Sequence, residues 1–111
     1  MKYDKLSMSL LFDLYGALLT EKQRDCFDLH YNQDLTLAEI AENMGTTRQG
    51  VHDAVTRAEA QLLRLEEVTG CLARARRISG IADELERTAA ALPAQGAAAV
   101  RSAAAALRES L

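Results

Sequence analysis

The stretch that most limits what this chain can become is residues 36–57, TLAEIAENMGTTRQGVHDAVTR. Thr36 precedes an apolar-periodic run and has Glu39 three residues on, so hydroxyl and carboxylate can cap the exposed amides of a helix beginning at Leu37. Gly45 follows Met44, where a left-handed backbone would end that helix, and Thr46 or Thr47 can cap the next one. Ile40, Ala41 and Met44 on the first helix, with Val51, Ala54 or Val55 and Ala58 on the second, lie at spacings that give each one buried face. Ala41 is small where the two helices must approach. The pattern predicts two helices joined by a tight corner, a helix-turn-helix. Thr47, Arg48, Gln49, His52, Asp53 and Thr56 then point outward. Docked on duplex DNA, these positions would lie in the major groove, Arg48 suited to guanine and Gln49 to adenine. An ordinary helical corner with no ligand is the competing reading.

Length and charge bound the rest. The 111 residues suit one small domain with an extension: a helix-turn-helix helical domain over 1–67 and a C-terminal helical extension over 68–111, packing on the same domain or on a second subunit. No run approaches the roughly 20 apolar residues that span a bilayer. The start, MKYDKLSMSLLFDLYG, carries acids and lacks a small-residue cleavage site. A soluble, cytoplasmic protein without membrane insertion is expected. Cys26 and Cys71 form no C-x-x-C pair, which speaks against a structural disulfide or zinc site and predicts buried or half-buried thiols. The net charge is −3, and it is unevenly spread: residues 20–67 carry five bases against ten acids, residues 68–111 six against four. A polyanion-binding protein is usually basic on at least one face. The helix-turn-helix region is instead the most acidic part, so strong sequence-independent affinity for DNA is not expected of it.

In chain order, residues 5–19 place Met8, Leu11, Phe12, Tyr15 and Leu19 on one helical stripe that Leu10, Leu14 and Leu18 widen. That predicts a helix buried on more than one side. Thr20 with Gln23 forms a capping box opening a helix to about Tyr31, and Asn32, Gln33 and Asp34 supply turn chemistry. Beyond Arg57, Ala58, Leu62, Leu65, Val68, Leu72 and Ala75 continue at steps of three and four, and Ile78, Ala82, Leu85, Ala89 and Leu92 repeat the spacing. Gly70 and Gly80 each disfavour helix by about 1 kcal/mol relative to alanine. One long helix or two broken at a glycine both fit. Pro93 with Gly96 marks a boundary, and the alanine-rich tail is expected to fold back as a helix on the preceding one, a frayed low-complexity linker being the competing reading. The fold class is therefore all-α.

Signatures of catalysis are missing: no phosphate-cradling glycine loop, no G-x-S-x-G elbow, no H-E-x-x-H. His30 and His52 lack partners at metal-ligand spacing. His52 adjoins Asp53, but adjacent helical residues point in different directions, so no oriented acid–base pair is expected. The reading is a non-enzyme with no cofactor and no metal. Arg74, Arg76 and Arg77 form the densest basic cluster, a candidate surface for RNA, a phosphate backbone or an acidic protein. A solvated charge run is the competing reading.

The assembled stretch LTEKQRDCFDLHYNQDLTLAEIAENMGTTRQGVHDAVTRAEAQLLRLEE resembles the YlxM family of small bacterial helix-turn-helix proteins. The T-E-K-Q opening, the L-A-E-I-A-E helix and the T-R-Q-G-V-H-D segment carry the likeness, which runs from about Leu6 to Glu67 and weakens beyond Gly80. The helix-turn-helix also resembles region 4 of bacterial sigma factors, which implies a sigma region 4-like bundle, of the winged-helix-like DNA-binding type without a wing, and not promoter recognition. The family resemblance implies a cytoplasmic bacterial regulator associated with the signal recognition particle pathway, a homodimer, with the particle's protein or RNA as a partner. DNA is the alternative ligand. Where the family has an aromatic residue after R-Q-x-V, this chain has His52.

Overall fold

The computed structural model describes residues 3–111, and these form six α-helices with no strand among them. The chain divides into two compact units at Gly70.

The first unit holds α1 (Lys5–Tyr15), α2 (Glu21–Tyr31), α3 (Leu37–Met44) and α4 (Arg48–Thr69). Short side chains start each helix by accepting from otherwise unpaired amides. Asp4 accepts from the Ser7 amide at 2.8 Å. Thr20 and Gln23 cap each other, as do Thr36 and Glu39, so both expected capping boxes form. Glu39 is held below the usual carboxylate range by the Thr36 backbone and side-chain hydrogen bonds. Gly45 ends α3 at φ 65° and ψ 35°, and the Thr46 amide reaches back to the Ala41 carbonyl at 3.0 Å. This left-handed residue turns the chain into α4, whose cap is Thr47 rather than Thr46, its hydroxyl accepting from the Gly50 amide at 3.0 Å.

The expected helix over 5–19 is shorter than its apolar pattern. It stops at Tyr15 and tightens into a 3₁₀ turn over Gly16–Leu18. Gly16 packs on the Phe12 ring, where an added Cβ would lie 3.2 Å from Cε1. The turn brings Leu19 inside and leaves Leu18 in solvent. Leu6, Leu14 and Leu18 are 68%, 48% and 65% exposed, so the first helix is buried on one side only. The α2–α3 loop contains Asp34 at φ 57°, a left-handed non-glycine residue beside the Leu35 amide's bond to the Leu29 carbonyl at 3.0 Å.

The core joins α2, α3 and α4. Cys26, Ile40, Ala41, Val51, Ala54 and Val55 form one buried cluster, with Leu29, Tyr31, Leu35, Leu37 and Met44 against it. The Cys26 thiol donates to the Met44 sulfur at 3.6 Å, and burial pushes that thiol's pKa up. Phe12, Phe27 and Tyr31 stack in series, with ring centroids 4.8 and 4.2 Å apart, tying α1 to α2. Two hydroxyls fasten α4: Tyr15 donates to Glu66 at 2.8 Å, and Tyr31 donates to Glu59.

The apolar spacing that runs on from Ala58 does not make one continuous helix. Gly70 takes φ 64° and its amide bonds the Glu66 carbonyl at 2.8 Å, ending α4, while Gly80 stays inside a regular helix. Val68, on the expected seam, is 79% exposed.

The second unit is a hairpin of α5 (Cys71–Ala89) and α6 (Ala94–Glu109). Pro93 sits at the α6 N-cap, where a missing amide costs nothing. The tail does fold back: Ala82, Ala89, Ala97 and Ala104 are buried between the two helices, small enough for close approach. Arg108 near the end of α6 reaches Glu86 and Ser79 on α5, each at 3.2 Å, and also bonds Asp83.

Candidate nucleic-acid interface

With about 100° per helical residue, Val51, Ala54, Val55 and Ala58 point into the core and are buried. The opposite arc of α4 is exposed. Gln49, Asp53 and Thr56 lie at its centre, Arg48 and His52 on one flank, Arg57 and the half-buried Gly50 on the other. Arg48, Gln49, His52 and Thr56, four of the residues singled out as base-reading candidates, are exposed on this arc, and Thr47, the fifth, is exposed just before the helix begins. Thr47 doubles as the N-cap.

Asp53 alters the chemistry of the arc. Its Oδ1 accepts from Gln49 Nε2 at 3.0 Å, so the amide suited to adenine is held within the helix. The same oxygen lies 3.7 Å from His52 Nδ1. Adjacent on the helix, the two were not expected to meet; they do because the Asp53 side chain leans back toward the N-terminal turn. At more than half exposed on both sides, this contact becomes an ion pair only with a protonated imidazole and is weak. The i, i+4 spacing of Gln49 and Asp53 was the available signal for the first contact.

A second feature escaped sequence reasoning. An open cleft of about 390 Å³ between the start of α2 and the flank of α4 is lined by Thr20, Lys22, Gln23, Gly50, Asp53, Ala54 and Arg57. Lys22 and Arg57 are 35 positions apart, and only the packing of α2 on α4 places both there. At Gly50 an added Cβ would meet the Thr47 and Thr46 hydroxyls at 3.1 and 3.3 Å and the Lys22 ammonium at 3.7 Å.

The basic run on α5 is exposed, but its members are spread around the helix. Arg74 and Arg77 lie three residues apart on one side, and Arg76 projects from another. His30 is a structural residue: Nδ1 lies 3.2 Å from the Leu35 carbonyl, which only an Nδ1–H can bond. Cys26 is buried as expected, whereas Cys71, at the first position of α5, is exposed. Among the described residues, no group of three or more His, Cys, Asp or Glu is placed to hold a metal ion. None of their helices is long and apolar enough to cross a membrane.

Four packed helices, a glycine corner and an outward arc on the helix after it define an all-α helix-turn-helix protein. Residues 2–96 match the family described as "Putative helix-turn-helix protein, YlxM / p13 like", and the chain belongs to that family. It is 42% identical over 105 residues to a UPF0122 protein of Symbiobacterium thermophilum, 95% of each chain. A UPF0122 protein of a Thermoanaerobacter species is 44% identical over 84 residues, 76% of this chain and 72% of the other. One from Clostridium kluyveri is 52% identical over 64 residues, so that the match spans 58% of that relative's length.

Proposed function

We propose that this protein is a non-enzymatic, cytoplasmic regulator acting in the signal recognition particle pathway of protein targeting, with the helix-turn-helix as its docking surface. What supports the helix-turn-helix part of this reading is the family match over residues 2–96, and the pathway part rests on what the sequence resemblance implies. The mixed arc of α4 agrees with it: Arg48 and His52 stand beside Asp53 in a region with twice as many acids as bases. Such a surface suits a selective partner better than indiscriminate DNA coating. The particle's protein or RNA is the partner in this reading, with Arg74, Arg76 and Arg77 as a further contact surface, and the working form is a homodimer. The test is to add purified protein to a reconstituted bacterial particle and its receptor, following GTP hydrolysis and RNA retention. No change in either at micromolar protein refutes the proposal. Sedimentation equilibrium that returns only monomer mass removes the dimer.

A second reading is a sequence-specific DNA-binding transcriptional regulator. The exposure of Arg48, Gln49, His52 and Thr56 on one arc of a helix that follows a tight corner, with Thr47 exposed at its cap, favours it. In this reading Arg48→Ala weakens binding to a selected genomic fragment by about 1–3 kcal/mol and relaxes specificity at one base pair. Selection from genomic fragments that yields no enriched sequence counts against it.

A further inference from the structure

We propose that the cleft between the first turn of α2 and the flank of α4 is a seat for one backbone phosphate of a double-helical nucleic acid. The inference rests on the reading of the helix-turn-helix as a nucleic-acid interface and supplies what that reading lacks, a cationic anchor in an acidic region.

The hydrogen-bond inventory of the cleft points to an anion. Thr20 Oγ1 accepts from the Gln23 amide at 3.2 Å, and Gln23 Oε1 accepts from the Thr20 amide at 3.1 Å. The capping box therefore uses acceptors on both side chains, and what it leaves over includes the hydroxyl proton of Thr20 and the two amide protons of Gln23. Lys22 and Arg57 add an ammonium and a guanidinium, groups that only donate. Neither cation has a carboxylate within ion-pair distance among the described residues. Among the described residues Asp53 is the sole carboxylate lining the cleft, and its Oδ1 is engaged by Gln49. Four side chains with protons to donate against one carboxylate suit a phosphate, which offers only acceptor oxygens. At the wall, Gly50 keeps the space beneath the Lys22 ammonium open.

Position agrees with chemistry. A helix with its side chains is about 10–12 Å across and the major groove of B-DNA about 12 Å wide, so a docked helix has a phosphate strand along each flank. Gly50 and Arg57 lie on the flank of α4 toward α2, beside the arc that carries Gln49 and Thr56. A phosphate in the cleft fixes the register of that arc without reading any base.

The test is fluorescence anisotropy of the full chain with a labelled 20-base-pair DNA duplex of mixed sequence and with the matching RNA duplex, titrated from low to moderate salt. On the DNA duplex, whose major groove admits a helix as that of the A-form RNA duplex does not, Lys22→Gln and Arg57→Gln each weaken binding roughly threefold to tenfold at low salt. Each also lowers the log–log salt slope by about one. Asp53→Asn strengthens binding. Arg87→Gln, the same charge change on exposed α5, is the control and leaves the slope alone. If the wild type binds and neither Lys22→Gln nor Arg57→Gln changes the slope, the cleft is not the phosphate seat while the nucleic-acid reading stands. An equal loss with Arg87→Gln makes the effect one of net charge and overturns the assignment. No binding to either duplex removes both ideas together.

Discussion

One substitution, glycine to alanine, is expected to act with opposite sign at two places in this chain. Gly45 and Gly80 share a relevant property: a Cβ built on either meets no heavy atom within 4 Å. Sterics between side chains therefore drop out, and only the backbone differs. Gly45 holds φ 65°, where an L side chain costs about 1–2 kcal/mol. The reduced entropy of the unfolded chain returns about 0.4–1 kcal/mol, so Gly45→Ala destabilises the first unit by about 1 kcal/mol. Gly80 lies inside α5, where alanine is favoured by about 0.8–1 kcal/mol. Gly80→Ala therefore stabilises the second unit by nearly as much as Gly45→Ala costs the first. With two compact units a single melting temperature is ambiguous, and native-state hydrogen exchange reads each unit separately. About 1 kcal/mol is roughly a fivefold change in protection. Protection across α3 and α4 should fall by that factor in Gly45→Ala, and protection across α5 should rise in Gly80→Ala. Equal effects of the same sign at both positions would refute the backbone argument.

Phe27→Ala, which removes a fully buried ring stacked between Phe12 and Tyr31, should cost about 3–5 kcal/mol and abolish cooperative urea unfolding of the first unit. Tyr31 is pushed above its ordinary 10.0 first by burial, then by the hydrogen bond to Glu59 and that carboxylate's charge. Because the folded pKa is the higher, this stabilisation is complete below pH 10.0 and is lost as pH rises from there through the folded value. Urea midpoints above pH 10 should fall more steeply in the wild type than in Tyr31→Phe. Lys5 holds the Asp34 carboxyl below its usual range, chiefly through their hydrogen bond, and Lys5→Ala should move the Asp34 titration upward in a carbon-detected NMR experiment. Arg108→Ala, which cuts the links from α6 to Ser79, Asp83 and Glu86, should lower exchange protection over residues 94–109 and leave α3 unaffected.

The parts of this fold that sequence exposed are those whose causes are local. Thr20 with Gln23, Thr36 with Glu39 and Gly45 each act within three or four residues, so the helix starts and the corner were readable. Two glycines with similar apolar neighbours were not separable by local pattern: Gly70 takes the left-handed geometry that ends α4, whereas Gly80 stays helical within α5. Leu18 fits the helical period but faces solvent, since the 3₁₀ turn rotates the chain against the pattern, while Leu14, still inside α1, lies on the side of that helix left uncovered. Of the candidate site, the exposed arc of α4 followed from its buried complement. The cleft of Lys22 and Arg57 did not, for it exists only once α2 lies on α4.

The sulfur pair behind the corner sets how the motif ages. Met44, half-buried at the last position of α3, places Sδ 3.6 Å from the enclosed Cys26 thiol. The thiol's raised pKa keeps it protonated and slow to react with peroxide. The thioether needs no deprotonation, so oxidative damage at the corner falls on Met44 first. A sulfoxide oxygen there inserts a polar group into the contact between α2 and α3, next to the glycine that sets their exit into α4. Chemical wear would thus loosen the angle of the two motif helices before it touched any residue on the outward arc, and a reductase acting on sulfoxides would restore it.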